Sequence, residues 1–412
     1  MRYAIVGNGP AGINAIEGIR KLDSDGEIVI VASEGKLPYN RILVPEYMVG
    51  EVAENELYIR DPEFYEKHRV QVVVGRRAAA VNIGEKSITL EDEMEGKSEL
   101  KYDRLLLATG SRNIIPSWVD RTIQGVCSLW DKADSQNIAS YLKNSWVKKA
   151  VIVGAGLVGL QAARALKAHG LEVTLVEKGP RIMPIQLDET ASGMLRQAAE
   201  TLGIKVYLNT EVTSLVASNG RISAVETPDA ILPADIVLIA IGVKPNIDWV
   251  DSVIARKQGI LVNEELQTSV PEIYAAGDIA QTREPLSGEP VLRAIWPNAV
   301  RQGGIAGANM AGAREKYMGI SSMNSIELFG LSIVSLGHTV GLQGVEEDLT
   351  YDEKVLSYPP SGSYRKLVFS GENLAGMIFA GDIRQAGVLF HKLGRPLTEG
   401  YLGKVQTLLS EE

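Results

Sequence analysis

Short, wholly apolar runs broken by glycine, each followed by a stretch with apolar residues at helical spacing, recur along the chain. Two segments, residues 3–34 and 150–177, repeat one plan: strand, glycine turn, amphipathic helix, second strand, acidic residue. In the first, the apolar run 3–6 enters Gly7-Asn8-Gly9-Pro10-Ala11-Gly12, followed by a helix to about residue 21, a strand over 28–32, and Glu34. In the second, 151–153 enters Gly154-Ala155-Gly156-Leu157-Val158-Gly159, followed by a helix to residue 169, a strand over 173–176, and Glu177. Continuous apolar strands alternating with helices predict an α/β fold with parallel sheets covered on both faces. Further buried strands are expected at 105–107, entering Ala108-Thr109-Gly110, at 236–239, entering Ala240-Ile241-Gly242, and at 273–276, entering Gly277-Asp278. Beyond about residue 319 the pattern becomes that of a sheet, with strands over 332–336, 354–358, 365–370 and 374–380, a hairpin turn at Gly371-Glu372-Asn373, and a helix over 384–393.

The repeated turn has a mechanical reading. Its first glycine permits a tight bend, the second lets a pyrophosphate approach the backbone, and the third lets helix and strand pack closely. The free helix N-terminus then holds the phosphates. The acid about twenty residues on accepts hydrogen bonds from ribose hydroxyls. Two dinucleotide sites on one chain point to FAD held in one and a nicotinamide nucleotide visiting the other. Asp278, at the end of its strand, suits a ribityl hydroxyl.

Composition narrows the chemistry. The 412 residues include one cysteine, Cys127, and four histidines with no ligand-like spacing. A disulfide, a cysteine metal cluster and a redox cysteine pair are thereby excluded within this chain, and no metal site is expected. Electron chemistry must use an organic cofactor. The net charge of −9 argues against a nucleic-acid surface. No stretch is apolar for long enough to span a membrane, no signal peptide opens the chain, and the lone thiol suits a cytoplasmic setting.

With these motifs in this order, the chain resembles the two-dinucleotide-fold flavoproteins, the pyridine nucleotide–disulfide oxidoreductases and their disulfide-free relatives. The resemblance implies two Rossmann-like domains plus a small α+β interface domain. FAD would bind on residues 1–112 and 243–318, NAD on an inserted domain over 113–242, and residues 319–412 would form the interface domain, pairing with itself or with another subunit. The loop Gly35-Lys36-Leu37-Pro38-Tyr39-Asn40-Arg41 separates the branches. Relatives with one catalytic cysteine carry it just before Leu-Pro-Tyr, where this chain has Gly35. What remains looks like the branch of rubredoxin reductases, the flavin module of assimilatory nitrite reductases and the reductases of ferredoxin-dependent oxygenases. The carry-over puts Arg41 on the FAD pyrophosphate, and Trp296 and Pro297, at the start of a helix, at the flavin pyrimidine edge.

One departure stands out. Where that branch has a lysine and a glutamate paired near flavin N5, this chain has Glu46 and Gln161, for which a mutual hydrogen bond is expected. Loss of the cation implies a flavin of lower potential than in lysine-bearing relatives. Glu177 favours NAD(H) over NADP(H), because a carboxylate repels a 2′-phosphate, although Lys178 and Arg181 lie close by. The leading expectation is an FAD-dependent NAD(H) oxidoreductase exchanging electrons with a one-electron iron–sulfur protein or subunit. The alternatives are an NADH oxidase or peroxidase, and a non-catalytic flavoprotein scaffold.

Overall fold

The computed structural model describes residues 1–92, 96–339, 351–358, 362–397, 400 and 403. The helices used below are, in chain order, α1 (Pro10–Arg20), α2 (Val44–Met48), α3 (Lys132–Leu142), α4 (Leu157–Ala168), α5 (Glu189–Thr201) and α6 (Trp296–Met310). None among the described residues is long and apolar enough to cross a membrane.

The chain divides into two compact units. Unit 1 comprises Met1–Leu43, Val52–Arg112 and Val243–Ile320; unit 2 comprises Val44–Glu51, Asn113–Gly242 and Ser321–Glu412. The chain passes between the units at 43/44, 51/52, 112/113, 242/243 and 320/321. Residues 44–51 group with unit 2, because α2 packs on α3 and α4 and the Val44 carbonyl accepts a hydrogen bond from the buried Ser135 hydroxyl at 2.9 Å. The C-terminal sheet also belongs to unit 2 rather than standing apart. Asp188, the N-cap of α5, accepts from the Tyr364 hydroxyl at 2.6 Å and pairs with the Lys366 ammonium at 3.3 Å.

Unit 1 is built on a five-stranded parallel sheet in the order Ile273–Ala275, Arg104–Leu107, Arg2–Val6, Glu27–Ala32, Val70–Val74. Alternation along each strand sends Tyr3, Ile5, Ile28 and Ile30 to a core shared with α1 and α6. Ala4, Val6, Val29 and Val31 face the opposite way, toward a core that includes residues of a small antiparallel sheet over Arg77–Asn82, Ser87–Asp92 and Gly96–Lys101. Burial on both faces is why these strands are apolar without interruption. Helices α1 and α6 touch backbone to backbone. A Cβ at Gly303 would lie 2.1 Å from the Ala11 carbonyl oxygen, and one at Gly307 2.2 Å from that of Ala15.

Unit 2 repeats the plan with the parallel order Lys205–Tyr207, Glu172–Val176, Lys149–Val153, Ile236–Ile239, Val126–Ser128. In both sheets the first strand of the repeat lies between its βαβ partner and a strand that returns from later in the chain. That is the switch point outside which open α/β sheets bind ligands.

The C-terminal sheet is antiparallel, in the order Met323–Leu328, Leu331–Gly337, Asn373–Ala380, Ser363–Ser370, Asp352–Tyr358. The helix expected over 384–393 is confined to Ala386–Phe390. Gln385 starts it from a left-handed conformation, φ 71°. After it the chain turns back to pair with the sheet, the Gly394 N–H donating to the Leu374 carbonyl and the Leu374 N–H to that of Arg395.

Candidate functional site

The two glycine turns are built alike. Gly7 (φ 119°) and Gly154 (φ 106°) adopt a backbone that side chains rarely tolerate, and a Cβ there would fall 2.1 Å from the Ala108 oxygen and 2.3 Å from the Ala240 oxygen. A Cβ on Gly12 or Gly159 would lie 2.0 Å from the carbonyl oxygen of Gly7 or Gly154. The middle glycines differ: a Cβ on Gly9 or Gly156 would meet nothing within 4 Å. Each of these is the N-cap of its helix, α1 or α4, and neither helix has a side-chain cap hydrogen bond. Pro10 at the start of α1 has no N–H to satisfy. Both turns therefore offer uncapped helix donors beside open space, which suits a pyrophosphate.

In unit 1 the remaining predicted residues gather around the first turn. Gly277 (φ 80°) sits against the first turns of two helices, since a Cβ on it would meet the Cβ of Ala11 at 3.3 Å and of Ala299 at 3.7 Å. Its neighbour Asp278 accepts from the Ser111 hydroxyl at 2.6 Å. Burial pushes the Asp278 carboxyl above its ordinary range, against the Ser111 hydrogen bond and the Arg41 charge. The Ala108-Thr109-Gly110 turn is clasped by Asn246: the Thr109 hydroxyl donates to the Asn246 carbonyl, and the Asn246 amide to the Thr109 carbonyl, each at 3.0 Å. Helix α6 begins at Trp296 and Pro297, with its N-terminus also lacking a side-chain cap. Asn298 donates to the Arg293 carbonyl at 2.7 Å.

Arg41 and Glu34 meet each other. The Arg41 guanidinium forms an ion pair with Glu34, whose other oxygen accepts from the Tyr39 hydroxyl at 2.5 Å. The predicted pyrophosphate cation and the predicted ribose acceptor thus share one loop. Among the described residues, the buried Arg293 Nε beside this cradle makes no hydrogen bond. Uncapped helix ends, the half-buried Asp278 carboxyl and the open face of Gly9 together fit FAD.

In unit 2 both Glu177 oxygens accept backbone N–H groups at 2.7 Å, one from Ala155 inside the glycine turn and one from Gly179. The carboxylate is therefore fixed at the mouth of the turn. Gly242 adopts φ 114° after the strand Ile236–Ile239. The nearby cations are engaged elsewhere: Arg181 donates to the carbonyls of Leu187 and Pro184, and Lys178 pairs with Glu211 at 2.8 Å. These residues fit NAD(H). Cys127 lies half-buried in the edge strand Val126–Ser128, and burial and the nearby Asp134 push its thiol up to about 12, which disfavours the thiolate.

The expected Glu46–Gln161 hydrogen bond is not made. Glu46 Oε1 takes the Arg164 guanidinium at 2.9 Å, and the same guanidinium holds Glu51 at 3.0 Å. Glu46 is thus paired with a cation, Arg164, one helical turn beyond Gln161 on α4. Spacing of three along a helix was the available signal. Ser111, Asn246 and Gln302 were also missed, because their roles depend on partners 167, 137 and 25 residues away.

Comparison with known proteins gives the following. The model of a family described as "Pyridine nucleotide-disulphide oxidoreductase" matches residues 1–303. An NADH oxidase of Methanocaldococcus jannaschii is 32% identical over 81% of this chain and 77% of its own. The NADH-dependent phenylglyoxylate dehydrogenase subunit epsilon of Aromatoleum evansii is 31% identical over 94% of this chain and 90% of its own. Among solved structures, NADH:rubredoxin oxidoreductase from Clostridium acetobutylicum superposes with a TM-score of 0.77 at 25% identity, covering 99% of each chain.

Proposed function

Because the chain belongs to the pyridine nucleotide–disulphide oxidoreductase family, we propose that this FAD- and NAD(H)-using oxidoreductase exchanges electrons between NAD(H) and a one-electron iron–sulfur protein or subunit. One observation carries this reading: two matching dinucleotide cradles stand on a chain whose only cysteine, Cys127, lies half-buried in an edge strand, far in sequence from the Gly35 loop where the cysteine-bearing branch of the family would keep a thiol. The names of the rubredoxin-linked and subunit-type relatives support it. A cytoplasmic setting goes with the single reduced thiol.

The proposed roles follow from the cradles. Gly7, Gly9 and Gly12, with Pro10 and Ala11, would hold the FAD pyrophosphate on α1, with Arg41 as counter-charge. Glu34 would take the adenosine ribose, while Ala108, Thr109, Gly110 and Gly277 line the way to Asp278 at the ribityl chain. Trp296 and Pro297 would bring the positive end of α6 to the flavin, favouring the ring when it carries negative charge. Gly154, Gly156, Leu157, Val158, Gly159 and Gly242 would hold NAD(H), and Glu177 would accept from its ribose and repel a 2′-phosphate. Glu46, paired with Arg164, and Gln161 would flank the nicotinamide side of the site. On this reading FAD binds over 1–112 and 243–318, less the strap 44–51, and NAD over 113–242, with 319–412 serving an interface. Bound flavin supplies the exchange between a two-electron and a one-electron carrier. The chain supplies orientation and charge, with no side-chain acid or base.

Anaerobic reduction by NADH, followed by mixing with a ferredoxin, a rubredoxin or oxygen, tests the proposal. Fast reoxidation by an iron–sulfur protein is expected. Fast reoxidation by oxygen alone would make the chain an NADH oxidase, the name its relative from M. jannaschii carries, and negligible reduction would make it a scaffold.

A further inference from the structure

Gln302 lies in α6, two turns from the helix start, with no exposed surface. Its Oε1 accepts the Gly277 backbone N–H at 2.7 Å. This is a side chain of one helix holding a glycine that belongs to the end of the sheet, and holding it in a left-handed conformation (φ 80°) that glycine leaves easily. The next residue is Asp278. Four residues before Gln302, on the same face of α6, Asn298 is fully buried; its amide ties the Arg293 carbonyl and its oxygen accepts from the buried Tyr317 hydroxyl. One helix face therefore fixes both the Gly277-Asp278 turn and the segment that leads into α6. A merely space-filling residue here would be apolar, since burying an amide costs free energy unless its hydrogen bonds repay it, and the bond to Gly277 is what repays it.

We propose that Gln302 is a positioning residue of the flavin cradle. Its hydrogen bond to the Gly277 N–H sets the Gly277-Asp278 turn against the N-terminal turn of α6, so that the carboxylate and the helix end address the same bound flavin. The proposal rests on the assignment of unit 1 to FAD. Without the bond, the glycine relaxes and the half-buried Asp278 carboxylate loses its aim.

The test compares FAD release from wild-type, Gln302→Met and Gln302→Glu holoenzymes, read as recovery of free flavin fluorescence after dilution, alongside thermal unfolding of each. The methionine keeps the bulk and loses the acceptor; the glutamic acid keeps an acceptor oxygen at the same reach. Release about five- to a hundredfold faster in Gln302→Met, with recovery toward wild type in Gln302→Glu, is expected. If the methionine variant does not fold, Gln302→Asn withdraws the amide by one methylene and reports the same quantity. Wild-type release from Gln302→Met, or equally fast release from Gln302→Glu, overturns the proposal, as does a lowered unfolding temperature with unchanged release. A wild-type protein that takes up no FAD overturns the assignment of unit 1 itself.

Discussion

The two glycines of the second turn should separate binding from folding. Gly156 has φ −77° and ψ −178°, a conformation open to any residue, and its missing Cβ faces nothing within 4 Å. In Gly156→Ala the folded chain loses no contact and the unfolded chain loses freedom, which stabilises by about 0.4–1 kcal/mol. That corresponds to a rise of about 1–4 °C in unfolding temperature for a domain of this class. The same methyl occupies the space through which a pyrophosphate would approach α4. One extra carbon in a closely filled site costs about 1–3 kcal/mol, or about a 5- to 150-fold weaker binding of NADH. Gly159→Ala gives the opposite profile. Its Cβ would lie 2.0 Å from the Gly154 carbonyl oxygen, so strand and helix must separate and stability falls by about 1–3 kcal/mol or more. The assay follows the bleaching of flavin absorbance at increasing NADH under anaerobic conditions, with thermal unfolding of the same samples. Wild-type NADH binding in Gly156→Ala would refute the placement of the nucleotide, and a loss of stability there would refute the claim that the position is open.

Asp278→Asn should stabilise the FAD-free protein at neutral pH while weakening FAD binding. Burial raises the carboxyl's pKa from 3.8, so the wild type's stability from this group is complete below 3.8 and is lost as pH rises through the folded value. The gap in unfolding temperature between variant and wild type should close at acid pH, and a gap that widens there would contradict the sign. Glu177→Ala should raise kcat/KM for NADPH relative to NADH by about tenfold and also lower stability by about 1–3 kcal/mol, since the Ala155 and Gly179 N–H groups lose their acceptor. Steady-state kinetics with both coenzymes and an unfolding curve check the two halves separately. Arg164→Met should destabilise by about 1–2 kcal/mol, because Glu46 and Glu51 are left as neighbouring uncompensated carboxylates in a partly buried setting. Adding Glu46→Gln should restore part of that loss, and a double variant no better than the single would show that the pair does not couple.

Much of this protein is determined by local order along the chain. The parallel sheets, both glycine turns and the acids Glu34 and Glu177 are legible because each depends on residues within one βαβ unit: an apolar strand buried on two faces, a bend only glycine tolerates, a helix start without a cap. The small antiparallel sheet over 77–101 was not anticipated, because its strands are short and half exposed. The predicted helix over 384–393 was too long, because pairing between Leu374 and Arg395 overrides local helical spacing. What only the tertiary structure decided is which polar groups meet. Gln302 finds Gly277, Ser111 finds Asp278, and Arg164 rather than Gln161 finds Glu46. These are contacts between distant segments whose side chains have several chemically adequate partners in the sequence. Hydrophobic periodicity specifies faces, but a hydrogen bond depends on a few tenths of an ångström, and that is fixed only when the helices have packed.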